Sequence, residues 1–468
     1  MLGPIDTPGL LMRVPKGFRD QIHPDYCPFG KFTTYELLCS LYGLKQAAAV
    51  YYDTMKNLLL SHVFPDGSRF RLSPADPCLF VRGSLSDLNS PYIAISTHID
   101  DKFIACRHAS DKDAIAGIFS AANWNFTLQA MDLVLGIHIR YERWDSATDE
   151  GGTLKLDHEQ YISDAYRKFS PLIPKDRRGS NTNIPVSAST IDKLNAQGPA
   201  VWSNYCKRRH TQFRSLLGTL GHVANFTHPE IAFAISFASQ FMSNPSEAHL
   251  DMVLGILMYL YSTRTKRITF KRQHSPPGTN PIFIACDSDL GNSRSRRSRT
   301  AFCAYLYGNL VAWHSRLQQS VSLSTAEAEY MALAAAARFA VWYKPLVGDF
   351  GIERSYRDPV HIFSDNKSAI CIAKNPISHK HSRHIDRRLH WLREKVLAGV
   401  IQVAFIPTAN NVSDIMTKAL AVGVFRPHRD KLLDGYYFIN ELASCTQDNK
   451  QFIVCLSYHI DAIMMNEL

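Results

Sequence analysis

The stretch Ser324-Thr325-Ala326-Glu327-Ala328-Glu329-Tyr330-Met331-Ala332-Leu333 opens an alanine-rich segment with helical spacing, and it puts two acids at the head of that helix. Residues two apart on a helix point in nearly opposite directions, so Glu327 and Glu329 cannot share one task. The stripe through Glu329 continues as Leu333, Ala336, Ala340 and Tyr343, an apolar face suited to packing on a sheet, whereas the stripe through Glu327 runs to Arg338. Glu329 is therefore the inward acid. A carboxylate at the edge of an apolar face is costly unless it meets cations or donors, so other groups must converge on it.

Three more carboxylates stand at the ends of apolar elements. Pro281-Ile282-Phe283-Ile284-Ala285-Cys286-Asp287 reads as a strand ending in an acid, and Val360-His361-Ile362-Phe363-Ser364-Asp365 repeats the form before a helix beginning Asn366-Lys367-Ser368-Ala369-Ile370. The last is Ile401-Gln402-Val403-Ala404-Phe405-Ile406, a strand, then a loop and Asn411-Val412-Ser413-Asp414-Ile415. Residues 302–307 and 310–315 read as two further strands, so the expected order is βββαβαβα. Each acid alone reads more simply as a cap or a solvated residue. Four of them in this order point to a shared site, with Asp289 lying beyond the first strand.

At these residues the chain resembles the C-terminal part of the Pol polyprotein of copia-type LTR retrotransposons, whose last domain is a ribonuclease H. The resemblance runs through Cys286-Asp287-Ser288-Asp289, Arg296-Arg297-Ser298, residues 324–333, Ser364-Asp365-Asn366-Lys367-Ser368-Ala369, His384-Ile385-Asp386-Arg387 and Asp414-Ile415-Met416-Thr417-Lys418. It implies that Asp287, Glu329, Asp365 and Asp414 are catalytic and bind two Mg²⁺ ions, with Mn²⁺ as an alternative, about 3.5–4 Å apart. The implied reaction is hydrolysis of the RNA strand of an RNA:DNA hybrid, with RNA chosen through its 2′-hydroxyls. Arg296, Arg297 and Lys367 are then expected on nucleic-acid phosphates. Many ribonucleases H carry a mobile histidine shortly before the last aspartate; here Pro407-Thr408-Ala409-Asn410-Asn411 has none, and His384 or His390 could substitute only if the fold brings it near.

A second resemblance, to the family's reverse transcriptase, covers the first segment. Leu11-Met12-Arg13-Val14-Pro15-Lys16-Gly17-Phe18 resembles the stretch after the first catalytic motif, and Leu41-Tyr42-Gly43-Leu44-Lys45-Gln46-Ala47 the motif lining the template and nucleotide pocket, which implies nucleic-acid contacts for Lys45 and Gln46. Tyr92-Ile93-Ala94-Ile95-Ser96-Thr97-His98-Ile99-Asp100-Asp101 is an apolar strand running into a paired-acid turn, a way to present hard oxygen ligands to a divalent ion. The resemblance makes Asp100 and Asp101 catalytic and metal-binding, with His98 where a tyrosine is commoner. Leu133-Val134-Leu135-Gly136-Ile137 resembles the primer-gripping segment. A third palm carboxylate would lie in a motif ahead of Met1, and Asp6 sits in a turn-like Gly-Pro-Ile-Asp-Thr-Pro context, so primer extension on an RNA template with a DNA primer is expected to be absent.

The expected architecture is multidomain, α/β and α+β: a truncated polymerase palm and connection, then a ribonuclease H-like mixed five-stranded sheet with helices. Boundaries are expected at 1–142 for partial fingers and palm, 143–275 for a helical thumb or connection, 276–425 for the ribonuclease H-like domain and 426–468 for a tail. In the connection, Leu156-Asp157-His158-Glu159 begins an amphipathic helix, residues 171–187 read as a loop, and 205–249 are helical in period, with Phe213-Arg214-Ser215-Leu216-Leu217-Gly218 and Pro229-Glu230-Ile231-Ala232 resembling the family.

Length and 46% hydrophobic residues suit two or three globular domains, and a net charge of +10 favours a polyanionic partner. The basic residues cluster in Lys207-Arg208-Arg209-His210, Arg264-Thr265-Lys266-Arg267 and the 294–299 run. Ten cysteines without a C-x-x-C pair indicate neither a zinc site nor a disulfide framework. No signal pattern or membrane-length apolar run appears, so an intracellular setting without a membrane is expected, in a virus-like particle if a complete element is made. Oligomeric state leaves no trace in the sequence. The rival reading is a catalytically inactive nucleic-acid-binding remnant of a transposon Pol protein; the missing start favours it, and the survival of four acids opposes it.

Overall fold

Near-continuous apolar runs bounded by acids form the strands of a sheet buried on both faces, as such runs do when helices cover a mixed or parallel sheet. In the computed structural model of the chain, Ile282–Asp289 is the central strand, antiparallel to Arg299–Leu306 and parallel to Val360–Ser364. Asn309–Leu317 extends the antiparallel edge and Ile401–Phe405 the parallel one, which makes the expected mixed five-stranded sheet. The structure describes residues 10–13, 34–37, 44–85, 87, 90–99, 101–108, 110–142, 152–179, 182–196, 207–271, 280–291, 293, 295–352, 354–374 and 386–434. Asp100 and His384 lie outside them.

The chain forms two compact units, residues 1–130 with 349–351 and residues 131–348 with 352–468. In the first, a four-stranded antiparallel sheet (Arg71–Leu72, Leu79–Arg82, Ile93–His98, Asp101–Cys106) is flanked by helices Ala47–Ser61 and Ser110–Ala121. Phe80, Ile93 and Ile95 meet Met55, Leu59, Ile115, Ile118 and Phe119 in its core. A separate short hairpin pairs Leu11–Arg13 with Thr34–Glu36.

In the second unit, one continuous core runs from Ile162 to Leu432 and joins the helices Glu159–Phe169, Lys207–Phe226, Ala232–Ser239 and Glu247–Thr263 to one face of the five-stranded sheet, through Phe283, Ala301, Cys303 and Tyr305. The opposite face carries the long helix Thr325–Asp349, on which Phe339 meets Phe302 at 5.3 Å between ring centroids. A four-stranded antiparallel sheet ordered Ile268–Phe270, Thr153–Asp157, Ile137–Glu142, Leu133–Val134 completes the unit.

Several local expectations are corrected. Leu156 and Asp157 end a strand, and the helix starts only at Glu159, because Leu154 and Leu156 alternate inward against the Ile268–Phe270 strand. The central strand runs on through Asp289, which pairs with Arg299, so Asp289 is a strand residue and does not lie beyond the strand. Short helix Arg354–Arg357 and helix Asp386–Leu397 add to the expected βββαβαβα order. The segment bearing Asp414 is a 3₁₀ turn, Val412–Met416, capped by Asn411, whose Oδ1 accepts the Ser413 N–H. Helix Val422–Leu433 buries Phe425, Leu432 and Leu433.

Candidate functional site

Each acid reaches the site from a different kind of element. Asp287 shares the sheet face of Phe283 and Ala285, towards the 3₁₀ turn, while Glu329 comes from the long helix on the other face and meets it at the strand end. There Glu329 Oε1 accepts the Ser288 N–H at 3.2 Å. Asp365 follows directly on the neighbouring parallel strand Val360–Ser364. Ligand oxygens of Asp287, Glu329 and Asp365 lie within 4.8 Å of one another, at the C-terminal ends of two adjacent parallel strands. Open sheets bind ligands at such ends, where the chain leaves the sheet and polar groups are free to converge.

The helix-face argument separates the two glutamates in the structure as well. Glu329 is 6% exposed and its stripe of Leu333, Ala336, Ala340 and Tyr343 is buried. Glu327 is a capping residue: its Oε2 accepts the Leu323 N–H at 2.7 Å, and its own N–H is given to Ser324 Oγ at 3.2 Å. Ser324-x-x-Glu327 is thus a variant of the capping box, a signal present in the sequence beside the two acids.

Asp414 stands next to the trio rather than inside it. It is 6% exposed, and Lys418 holds its Oδ1 at 3.0 Å. Thr417 donates its hydroxyl to Asp287 Oδ2, and Asn411 Nδ2 donates to the Cys286 carbonyl at 3.0 Å, so the 3₁₀ turn is tied to the central strand by two side chains. Thr417 and Lys418 sit inside the Asp414-Ile415-Met416-Thr417-Lys418 motif, where only the acid stood out as sequence. His428, buried on helix Val422–Leu433, feels the charge of Asp414: burial lowers its pKa, Asp414 opposes that shift, and its Nδ1 has no hydrogen-bond partner. His390 is exposed on helix Asp386–Leu397.

The electrostatics are those of a cation site. Burial, then Asp414 and Glu329, raise the Asp287 carboxyl well above the usual carboxylate range. Burial, then Asp365, push Glu329 up to about 8. Glu329 Oε2 is buried without a hydrogen-bond partner. Clustered hard oxygens, one of them without a hydrogen-bond partner, are a donor set that suits a hard divalent cation. The residues present therefore fit a divalent ion.

The other singled-out residues lie elsewhere. Arg296, at φ +55°, and Arg297 are exposed in the turn before Arg299–Leu306. Lys367 is exposed at the first turn of helix Lys367–Lys374, with its ammonium 4.9 Å from the Phe405 ring centroid. In the other unit, exposed Lys45 and half-buried Gln46 precede helix Ala47–Ser61. Asp101 opens the second strand of a hairpin, exposed and paired with His98, after Ile99 at φ +50°. A β-branched residue in that conformation is strained.

A mixed α/β chain with an acid trio at the end of a five-stranded sheet, Asp287 and Glu329 buried and Asp365 half-buried, is the class that fold and site define. Over most of its length its curated homologues are retrovirus-related Pol polyproteins of plant copia-type transposons and the Ty1 Gag-Pol polyproteins. It is 28% identical over 386 residues to the Pol polyprotein from transposon TNT 1-94 of Nicotiana tabacum, covering 81% of this chain and 27% of that protein. The values are 27% over 430 residues, 91% and 26% for the polyprotein from transposon RE1 of Arabidopsis thaliana. They are 24% over 404 residues, 83% and 21% for the Ty1-ER2 Gag-Pol polyprotein of Saccharomyces cerevisiae. The chain thus spans about a quarter of the length of the curated relatives it matches. No family model matches it. Among solved structures it is similar to RNase H1 from the halophilic archaeon Halobacterium salinarum, at 17% identity and a TM-score of 0.20 over 29% of this chain and 92% of that one. A prototype foamy virus protease-reverse transcriptase matches at 8% identity and a TM-score of 0.22, over 89% of this chain and 42% of that one.

Proposed function

We propose that the chain is a retrotransposon-derived reverse transcriptase and ribonuclease H fragment whose second unit hydrolyses the RNA strand of RNA:DNA hybrids. The observation that carries the reading is the convergence of Asp287, Glu329 and Asp365 oxygens within 4.8 Å, with Asp414 beside them. These four carboxylates would hold two divalent ions, Mg²⁺ by preference. Bound there, such ions supply an activated water and stabilise the leaving 3′ oxygen.

The chain's own residues prepare that site. The Ser288 N–H fixes Glu329 Oε1 and leaves Oε2 without a partner, and Thr417 fixes the Asp287 carboxylate. Lys418 offsets the charge of Asp414 and so lessens the repulsion among the acids. No side-chain nucleophile is required. Arg296, Arg297 and Lys367, all exposed, would hold phosphates of the hybrid. In the first unit, Lys45, Gln46, Asp100 and Asp101 are proposed as the corresponding template and metal contacts of a reverse transcriptase. The domain limits proposed from the sequence, 1–142, 143–275, 276–425 and 426–468, go with this reading.

The test supplies the chain with one labelled duplex in three forms: RNA:DNA hybrid, RNA duplex and DNA duplex. Cleavage of the RNA strand of the hybrid alone, abolished by EDTA and restored by Mg²⁺, is expected. Cleavage that persists in EDTA, or that takes the DNA strand, would overturn the proposal.

A further inference from the structure

The edge strand Ile401–Phe405 ends in an exposed aromatic at the rim of the acid site. Its register pairs Phe405 with Ser364, the residue directly before Asp365, and the Ile406 N–H donates to the Ser364 carbonyl at 3.1 Å. Neighbouring strands run about 4.8 Å apart, so the Phe405 backbone lies one strand spacing from the chain end that presents Asp365. Side chains two apart on a strand share a face. Ile401 and Val403 are 2% and 0% exposed, yet Phe405 on their face is 46% exposed, so the cover of that face stops before the strand does.

An exposed phenylalanine alone carries no message; what stands over this one does. Lys367, exposed on the first turn of helix Lys367–Lys374, holds its ammonium 4.9 Å from the Phe405 ring centroid. A cation at that distance is drawn to the negative face of the ring. Among the described residues no carboxylate pairs with Lys367. The backbone beneath it is fixed: Ser364 Oγ accepts the Asn366 N–H at 3.2 Å, and Asn366 Oδ1 accepts the Ala369 N–H at 3.0 Å. Ring and ammonium are thus both anchored on Ser364, and both reach solvent beside Asp365. An ammonium has three N–H donors and a ring face takes up none of them fully, so a phosphate can join the pair. The rest of the exposed ring then lies where the sugar of that phosphate must pass.

We infer that Phe405 and Lys367 form a sugar–phosphate subsite at the rim of the acid trio: Lys367 takes a phosphate of the bound strand, and Phe405 holds the ammonium in place and packs against the sugar of that nucleotide. Phe405 is a positioning residue and touches no reacting atom. The inference rests on the reading of the chain as a nucleic-acid enzyme and deepens it, since it adds an apolar contact to a site otherwise described by charge. The contact needs neither cleavage nor a divalent ion.

The test measures binding of the full chain, in EDTA, to a labelled RNA:DNA hybrid by fluorescence anisotropy and to inorganic polyphosphate, which has the charge without the sugar, by calorimetry. Phe405→Ala should weaken the hybrid about fivefold or more, the low end of what removing an aromatic contact to nucleic acid costs, and polyphosphate clearly less. Lys367→Ala should weaken both. Phe405→Tyr keeps the ring and should bind hybrid like wild type. Hybrid affinity unchanged in Phe405→Ala, equal losses for hybrid and polyphosphate in that variant, or Phe405→Tyr no better than Phe405→Ala would each overturn the inference. Circular dichroism keeps unfolding apart from lost binding; if Phe405→Ala unfolds, Phe405→Leu, which keeps apolar volume without the flat face, takes its place. Failure of the hydrolase reading would show differently, as these affinities retained without hybrid cleavage.

Discussion

Among single residues, the positions of charge decide the account. The Glu329 carboxyl is raised to about 8 from an ordinary 4.5, and burial with Asp414 and Glu329 raises Asp287 too. Without divalent ions the folded chain therefore keeps protons that the unfolded chain releases. Stability is unaffected by this below the unfolded value and falls as pH rises from about 4.5 to 8. Glu329→Gln removes its share of that fall, so in EDTA its melting temperature should gain on wild type between pH 5 and pH 8, and Mg²⁺ should raise wild type most at the upper end. A wild-type advantage that grows with pH in EDTA would contradict this. Thr417→Val takes the hydroxyl from Asp287, a loss in the range of about 10–100-fold in ion affinity or activity for an outer partner of a ligand. Mg²⁺ titration of cleavage would measure it, and an unchanged Mg²⁺ dependence would count against it.

For individual elements, the end of the long helix shows what the sequence reveals and what it hides. The opposition of Glu327 and Glu329 was legible because a helix has a fixed period, and the buried stripe from Glu329 to Tyr343 follows it. Glu327's capping bonds were legible too, in Ser324-x-x-Glu327. Ser324→Ala should therefore cost about 0.5–2 kcal/mol of stability, read from chemical denaturation, with the acid trio intact. No loss would mean the cap is dispensable. The strands were legible from their apolar runs, but their ends were not: Asp289 stays in the sheet because Arg299 pairs with it across the ladder, a partner ten residues on. The Lys418 bond to Asp414 has helical spacing, yet it lies at a 3₁₀ turn that only the packing against Cys286 defines. His428 carried no signal, since it belongs to a helix placed by tertiary packing alone.

At the level of the whole molecule, the net charge of +10 and the exposed Arg296 and Arg297 predict binding dominated by phosphate contacts. Affinity for a hybrid should fall steeply with salt, and charge reversal at Arg296 and Arg297 should weaken every sequence alike and flatten the slope. A nearly salt-independent affinity would require a different mode of binding. The central claim, that the inward acids of the second unit cut RNA in a hybrid with divalent ions, is tested most directly by Mg²⁺-dependent hybrid cleavage with Glu329→Gln and Glu327→Gln side by side. Glu329→Gln should lose about 10²–10³-fold or more, the scale of removing one preorganised charge-bearing group from a site of this kind, with Glu327→Gln close to wild type. Equal losses in both variants, or full cleavage by Glu329→Gln, would contradict the account.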